Sequence, residues 1–350
     1  MKKLKFNWLE RGWGELQAAR DRLPHALLIH GAADIGKRDL AEHFAQSLLC
    51  EKPIDTGHPC GACLACGWFA EGNHPDFRLV LPEILQADDG NVEAEESVEK
   101  TTKTKNPSKE IKIEQIRRLD SFFNVGTHRG GARVVLIYPA DALNVPASNA
   151  LLKTLEEPAP GTVFLLVTSH PEQVLPTIRS RAAKFIVRAP DAATCVAWLT
   201  EQGVEHPEQR LAEAGGVPLA ALRATGDDVH KAERETLIDA LAASGAAIGS
   251  ALDPLTLAEK CDKAGNQNLV LWLMRWVADL AYVRQTGAEP RYYPARAKAI
   301  AALSAWYDAR TLHRYYRNLL EARRVAGHPL NTRLFAEELL IAYARLPRHA

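Results

Sequence analysis

The chain has 350 residues, 47% of them hydrophobic, and its 43 Lys+Arg balance 43 Asp+Glu to a formal net charge of zero. That length exceeds what one hydrophobic core usually organises, so two or three domains are expected, and the balanced charge excludes a polycationic nucleic-acid binder acting through a global field. No run approaches the ~20 apolar residues of a membrane-spanning helix, and the early lysines lead into no apolar signal segment, so a cytoplasmic protein is expected.

Residues 25–49 read as strand, loop and helix: an apolar run Ala26 to Ile29, a glycine-bounded loop, then Leu40, Phe44 and Leu48 at helical spacing. The loop, Gly31 to Lys37, matches the G-x4-G-K pattern whose backbone amides and lysine cradle phosphates, and Gly31, Gly36 and Lys37 are its candidate cofactor-binding residues. Arg38 follows, where the pattern requires a serine or threonine hydroxyl for magnesium. A guanidinium cannot ligate a cation.

The next segment carries Cys50, Cys60, Cys63 and Cys66 as C-x9-C-x2-C-x2-C, with Gly57, Pro59, Gly61 and Gly67 available for sharp turns. Two tight C-x2-C steps gather thiolates on one side of a compact turn, as a closed tetrahedral zinc site requires; such a site stabilises and does not catalyse. An iron–sulfur cluster or free thiols are the competing readings, and His58 and His74 are second-choice ligands. Cys195 and Cys261 are expected to be buried small residues.

A strand is expected at Phe77–Leu81, then a surface loop over 86–109, acidic in its first half, lysine-rich in its second and almost without apolar side chains. A helix carrying Ile113, Ile116 and Leu119 follows, then the strand Val134–Tyr138, a helix through Asn149–Glu157, the strand Val163–Thr168 and a last strand Phe185–Val187. Apolar strands alternating with amphipathic helices imply a parallel α/β sheet covered on both faces. The strand at 134–138 would carry magnesium-holding carboxylates at its end in an active phosphate-loop enzyme. Tyr138 and Pro139 stand there instead, so no intrinsic ATP hydrolysis is expected and ATP at this site is not favoured.

Beyond Ala189-Pro190 the strand signals stop. A small helical lid over 190–245 and an all-α domain over 246–350 are expected, with Trp272, Trp276, Trp306, Tyr315 and Tyr316 as core aromatics.

Asn149 to Pro158, followed by Ile178-Arg179-Ser180-Arg181, resembles the clamp-loader branch of the AAA+ family. With the four-cysteine insert and the two departures in the phosphate site, the resemblance covers most of residues 8–220. It implies a non-hydrolysing member of a heteropentamer, with ATPase subunits and a clamp-opening subunit as partners, that loads a sliding clamp onto primed DNA. It also implies that Arg181 reaches in trans into a neighbour's ATP site as an arginine finger, although Ala182 stands where the family carries cysteine. The second sensor region would be Gly215 to Pro218, with Leu219 and Ala220 where active members place an arginine. Lys112, Arg117, Arg118, Arg129 and Arg133 lie near the helix that such proteins turn toward DNA, and none is assigned. An active P-loop ATPase or kinase with unorthodox metal ligands, and a stand-alone zinc-dependent DNA-binding protein, are the alternatives.

Overall fold

The computed structural model describes residues 4–54, 56–86, 107–124, 126–127, 131–226, 230–244 and 252–347. The chain forms two compact units, Met1–Pro190 and Asp191–Ala350. Most of the expected 86–109 loop, Arg129 and the expected 245/246 boundary lie outside the described residues.

In the first unit the order is α1 (Glu10–Ala18), β1 (Ala26–His30), α2 (Lys37–Leu49), α3 (Leu64–Ala70), β2 (Phe77–Val80), α4 (Glu83–Gln86), α5 (Ile113–Asn124), β3 (Arg133–Ile137), α6 (Val145–Glu156), β4 (Thr162–Thr168), α7 (Pro176–Arg181) and β5 (Ala183–Ile186). The five strands are all parallel, in the order β2-β3-β4-β1-β5. This is the expected α/β sheet. The strands are apolar along their length because both faces are covered. Leu28, Val135, Ile137, Phe164 and Leu166 share a core with Ile116 and Leu119 of α5, Leu151 and Leu155 of α6 and Ile178 of α7. Alternate residues Leu27, Ile29, Val134, Leu136, Leu165 and Val167 are also buried, and α2 packs on β1, β3 and β4.

Element ends move by one to a few residues from those expected, those of β3, β5 and α6 among them. β3 ends one residue before Tyr138. β5 begins two residues before Phe185, where it pairs with β1 from Leu27 onward. α6 begins at Val145 because the Asn144 side chain accepts from the Ala147 amide and Pro146 sits in the first turn, both helix-start features.

The second unit is all helical: α8 (Ala192–Glu201), α9 (Pro207–Glu213), α10 (Pro218–Gly226), α11 (Lys231–Ala243), α12 (Pro254–Lys260), α13 (Asn266–Thr286), α14 (Ala297–Trp306), α15 (Ala309–Val325) and α16 (Thr332–Ala344). Trp272, Trp276 and Tyr315 are buried in its core, with Trp306 and Tyr316 packed against it, so these aromatics are packing residues. Leu237, Ile238 and Leu241 of α11 belong to the same core, so this helix, within the range expected for the lid, packs with the helices that follow it. Cys195 and Cys261 are fully buried, and burial pushes both thiols up to about 11.

Candidate functional site

The strand order reverses direction between β1 and β4, and at such a switch point the carboxyl ends of neighbouring strands open a crevice where α/β proteins hold ligands. The phosphate loop leaves β1 there. A Cβ on Gly31 would lie 2.3 Å from the Val187 carbonyl oxygen, so only glycine fits, and Gly36 adopts a left-handed φ of 84° with its α-carbon against the Phe6 ring.

The residues that should meet phosphate and metal instead meet the chain itself. Lys37 is 4% exposed; its ammonium donates to the Ala32 carbonyl of its own loop and, at 2.9 Å, to Ser169 Oγ just past β4. Burial lowers its pKa to about 8, although Asp34 and Asp141 pull the other way. Asp141 accepts from the Thr168 hydroxyl, which in turn accepts from the His170 amide at 2.9 Å. Arg38 turns back along α2 to Glu42 Oε1, 2.7 Å away, and lies over the Tyr138 ring at 5.6 Å. The two departures from the active pattern therefore face each other: the guanidinium in the hydroxyl position lies within cation–π range of the phenol in the carboxylate position. Neither side chain is a good magnesium ligand, and the guanidinium adds a fixed positive charge beside the phosphate loop.

At the other end of α2, Cys50 follows the last helical residue. Its Sγ lies 3.6 Å from that of Cys60 and 3.9 Å from that of Cys63, and Cys60 Sγ lies 4.0 Å from that of Cys66. All four sulfurs fall within 4.8 Å of one another. Four sulfurs at ~2.3 Å from one tetrahedral zinc would be about 3.8 Å apart, so the donor set fits that ion. Backbone amides serve the sulfurs: Cys60 N donates to Cys50 Sγ at 3.3 Å, Cys63 N to Cys60 Sγ at 3.3 Å and Cys66 N to Cys63 Sγ at 3.4 Å. The amides of Ala62 and Cys63 hold the Cys60 thiol down to about 6, while burial pushes Cys50 and Cys66 up. Gly57 and Gly61 take left-handed turns, whereas Gly67 lies inside α3.

Neither second-choice histidine joins the sulfurs. His58 stacks on Trp13 at 4.5 Å and shares a 2.9 Å hydrogen bond with His43 of α2, and the Trp13 indole donates to the Thr56 carbonyl. These contacts fasten the cysteine segment to α1 and α2. His74 is buried, and its Nδ1 accepts from the Asp76 amide at 3.1 Å.

Arg181 ends α7 on the surface. It pairs with Glu156 Oε1 at 2.6 Å and donates to the Thr177 carbonyl at 3.1 Å, while Ala182 is buried in the sheet core, where a small side chain suffices. Gly215 and Gly216 both take left-handed φ values, and Leu219 and Ala220 follow Pro218 in the first turn of α10. Of the basic residues near α5, Lys112 pairs with Glu83 at 2.7 Å and Arg117 and Arg118 are exposed. Arg133 is 3% exposed: its guanidinium lies over the Phe122 and Phe123 rings and donates to the Phe123 carbonyl, so it holds α5 on the sheet. Sequence reading missed the partners Ser169 and Glu156, which only the tertiary fold brings to Lys37 and Arg181. Among the described residues no helix is long and apolar enough to cross a membrane.

A family model described as "DNA polymerase III, delta subunit" matches residues 15–191, and one described as "DNA polymerase III, delta subunit, C terminal" matches residues 229–344. DNA polymerase III subunit delta' of Pseudomonas aeruginosa is 40% identical over 65% of this chain and 63% of its own length. The Escherichia coli protein of the same name is 34% identical over 68% of this chain and 66% of its own. The tau subunit from Escherichia coli is 34% identical over 49% of this chain and 22% of its own. The aligned region thus spans just under two thirds of either delta' relative.

Proposed function

The chain belongs to the DNA polymerase III delta-subunit family, and from that premise we propose that it acts as the delta' subunit of a clamp loader, a cytoplasmic, non-hydrolysing member of an ATP-driven assembly. The observation that carries the reading is the closed phosphate site: Lys37 is bonded to Ala32 and Ser169, and Arg38 lies against Tyr138 and Glu42. To receive a nucleotide the loop must release the lysine from Ala32 and Ser169. With no hydroxyl at residue 38 and no carboxylate at residues 138 and 139, neither metal-holding element of the phosphoryl-transfer template is present.

In this reading the chain contributes to chemistry from its surface. Arg181 is exposed, and its ion pair with Glu156 is with a carboxylate that is itself half exposed, so solvent screening leaves it cheap to exchange. A guanidinium free to leave such a partner can meet the charge that develops on a phosphoryl group bound by a neighbouring ATPase subunit. The four thiols would hold a structural zinc that fixes the segment after α2 and leaves no coordination position for substrate. The partners are the ATPase subunits, the clamp-opening subunit, the sliding clamp and, through the complex, primed DNA. We divide the chain functionally into the α/β part at 1–189, a lid at 190–245 and a collar at 246–350.

Purified chain without partners tests the reading. ATP turnover at the uncatalysed background, equal in wild type and Lys37→Ala, is expected. Turnover that Lys37→Ala abolishes would instead assign the chain to active P-loop enzymes.

A further inference from the structure

The overall charge balance conceals one local excess. On α15, Arg310, Arg314, Arg317, Glu321 and Arg324 recur at alternate steps of about four and three residues, which puts them on one face of the helix. All five are exposed, while Thr311, Leu312, Tyr315 and Leu319 on the opposite face are buried in the helical core. At 1.5 Å per residue the stripe runs about 21 Å.

Glu321 is the stripe's one acid, and it pairs with Arg324 at 3.0 Å. Among the described residues Arg310, Arg314 and Arg317 have no ion-pair or hydrogen-bond partner. The neighbouring α16 differs: its Arg333 is neutralised by Glu337 at 3.0 Å and Glu259 at 3.8 Å. Three unpaired guanidinium groups in a row therefore belong to α15 itself and are not a general property of this surface.

The chemistry of the stripe selects its occupant. Its only large apolar neighbours on α15 are Leu320 and Val325, 39% and 44% exposed and on opposite sides of the stripe, so no contiguous apolar centre of the kind a protein interface needs forms there. Its one exposed ring is the His313 imidazole, since Tyr316 is packed against the core, and a single ring is not the series of stacking platforms on which successive unpaired bases are held. The stripe does offer guanidinium forks, the group best matched to phosphate oxygens, spread over a length along which duplex DNA presents phosphates continuously. We propose that the exposed face of α15 binds the phosphate backbone of duplex DNA without reading its sequence. The proposal goes beyond the function above and stands whether or not the chain works in a clamp loader.

Binding of a short fluorescent duplex of mixed sequence to the full chain, titrated across salt concentrations, tests it. The Arg310→Ala, Arg314→Ala, Arg317→Ala triple variant should weaken binding about tenfold or more at low salt and lower the log–log salt slope by about 2.7, at ~0.9 per phosphate contact. Arg314→Glu alone should weaken binding in the same direction, and Lys at all three positions should retain most of the slope. Circular dichroism should match wild type in each case, since these side chains are exposed. Absence of duplex binding by wild type, or an unchanged slope in the triple variant, would overturn the proposal. So would loss of binding in Arg117→Ala, Arg118→Ala with α15 dispensable, arginine-dependent preference for the corresponding single strand, or arginine-dependent capture of polyglutamate alone.

Discussion

Helix α2 links two sites that have gone opposite ways. At its carboxyl end Cys50 joins three more sulfurs within 4.8 Å, a complete donor set served by backbone amides. At its amino end the glycines keep the shape of a phosphate loop while Lys37 and Arg38 bond inward. The difference shows what each end is needed for. A structural metal must have all its ligands, because an incomplete set leaves a loop without an alternative core. A phosphate loop can lose its chemistry and keep its fold, because Gly31 against Val187 and Gly36 against Phe6 are packing relations that no nucleotide need maintain.

The comparison is most strongly tested at the cysteine end. Cys63→Ser with Cys66→Ser should abolish one bound zinc per chain by elemental analysis and destabilise the chain by several kcal/mol, on the order of 5. Retained zinc or an unchanged melting temperature would break it.

Lys37 gives the next effect. Its folded pKa of about 8 lies below the ordinary 10.5, so the unfolded chain binds this proton more tightly. The cost is fully present below 8 and disappears as pH rises through 10.5. Denaturant melts should therefore show wild type gaining stability relative to Lys37→Met across that window, on the order of 2 kcal/mol once solvent screening is allowed for. A flat difference would mean that the ammonium is not held in a desolvated pocket.

Gly31→Ala should cost about 2 kcal/mol in the same assay, because the new methyl meets a backbone oxygen that cannot swing aside. Arg38→Ala is the mildest change, about 1 kcal/mol, from the loss of a partly exposed ion pair and a cation–π contact. Measurable magnesium-dependent nucleotide binding by Arg38→Ala would show that the guanidinium alone had closed the site.

Local patterns made much of this visible in the sequence. The apolar strands, the glycine-bounded loop and the cysteine spacing are read from neighbours in the chain, and each forms there, with strand ends shifted by a residue or two. The start of α6 was also legible, since Asn144 and Pro146 are helix-start signals that outweigh the later Asn149. Pairings across the fold were not legible. Arg38 and Tyr138 are a hundred residues apart, and only the fold brings the two departures within cation–π range of each other. The sequence assigns Arg133 no role, whereas in the fold it opens β3 with its guanidinium over the Phe122 and Phe123 rings, and only the sheet order makes that position interior. His58 read as a possible ligand because it lies near cysteines in the chain, yet Trp13 and His43 claim it from other elements.

In the proposed function this chain leaves its own phosphate site idle and acts through Arg181. The most direct measurement is clamp- and DNA-stimulated ATP hydrolysis by the reconstituted assembly, with single-site resolution from ATPase subunits inactivated one at a time. Lys37→Ala should change nothing, and Arg181→Ala should slow the adjoining site by about 1000-fold, the lower end of what an arginine finger contributes. Loss of hydrolysis with Lys37→Ala, or an undiminished rate with Arg181→Ala, would contradict the proposed function.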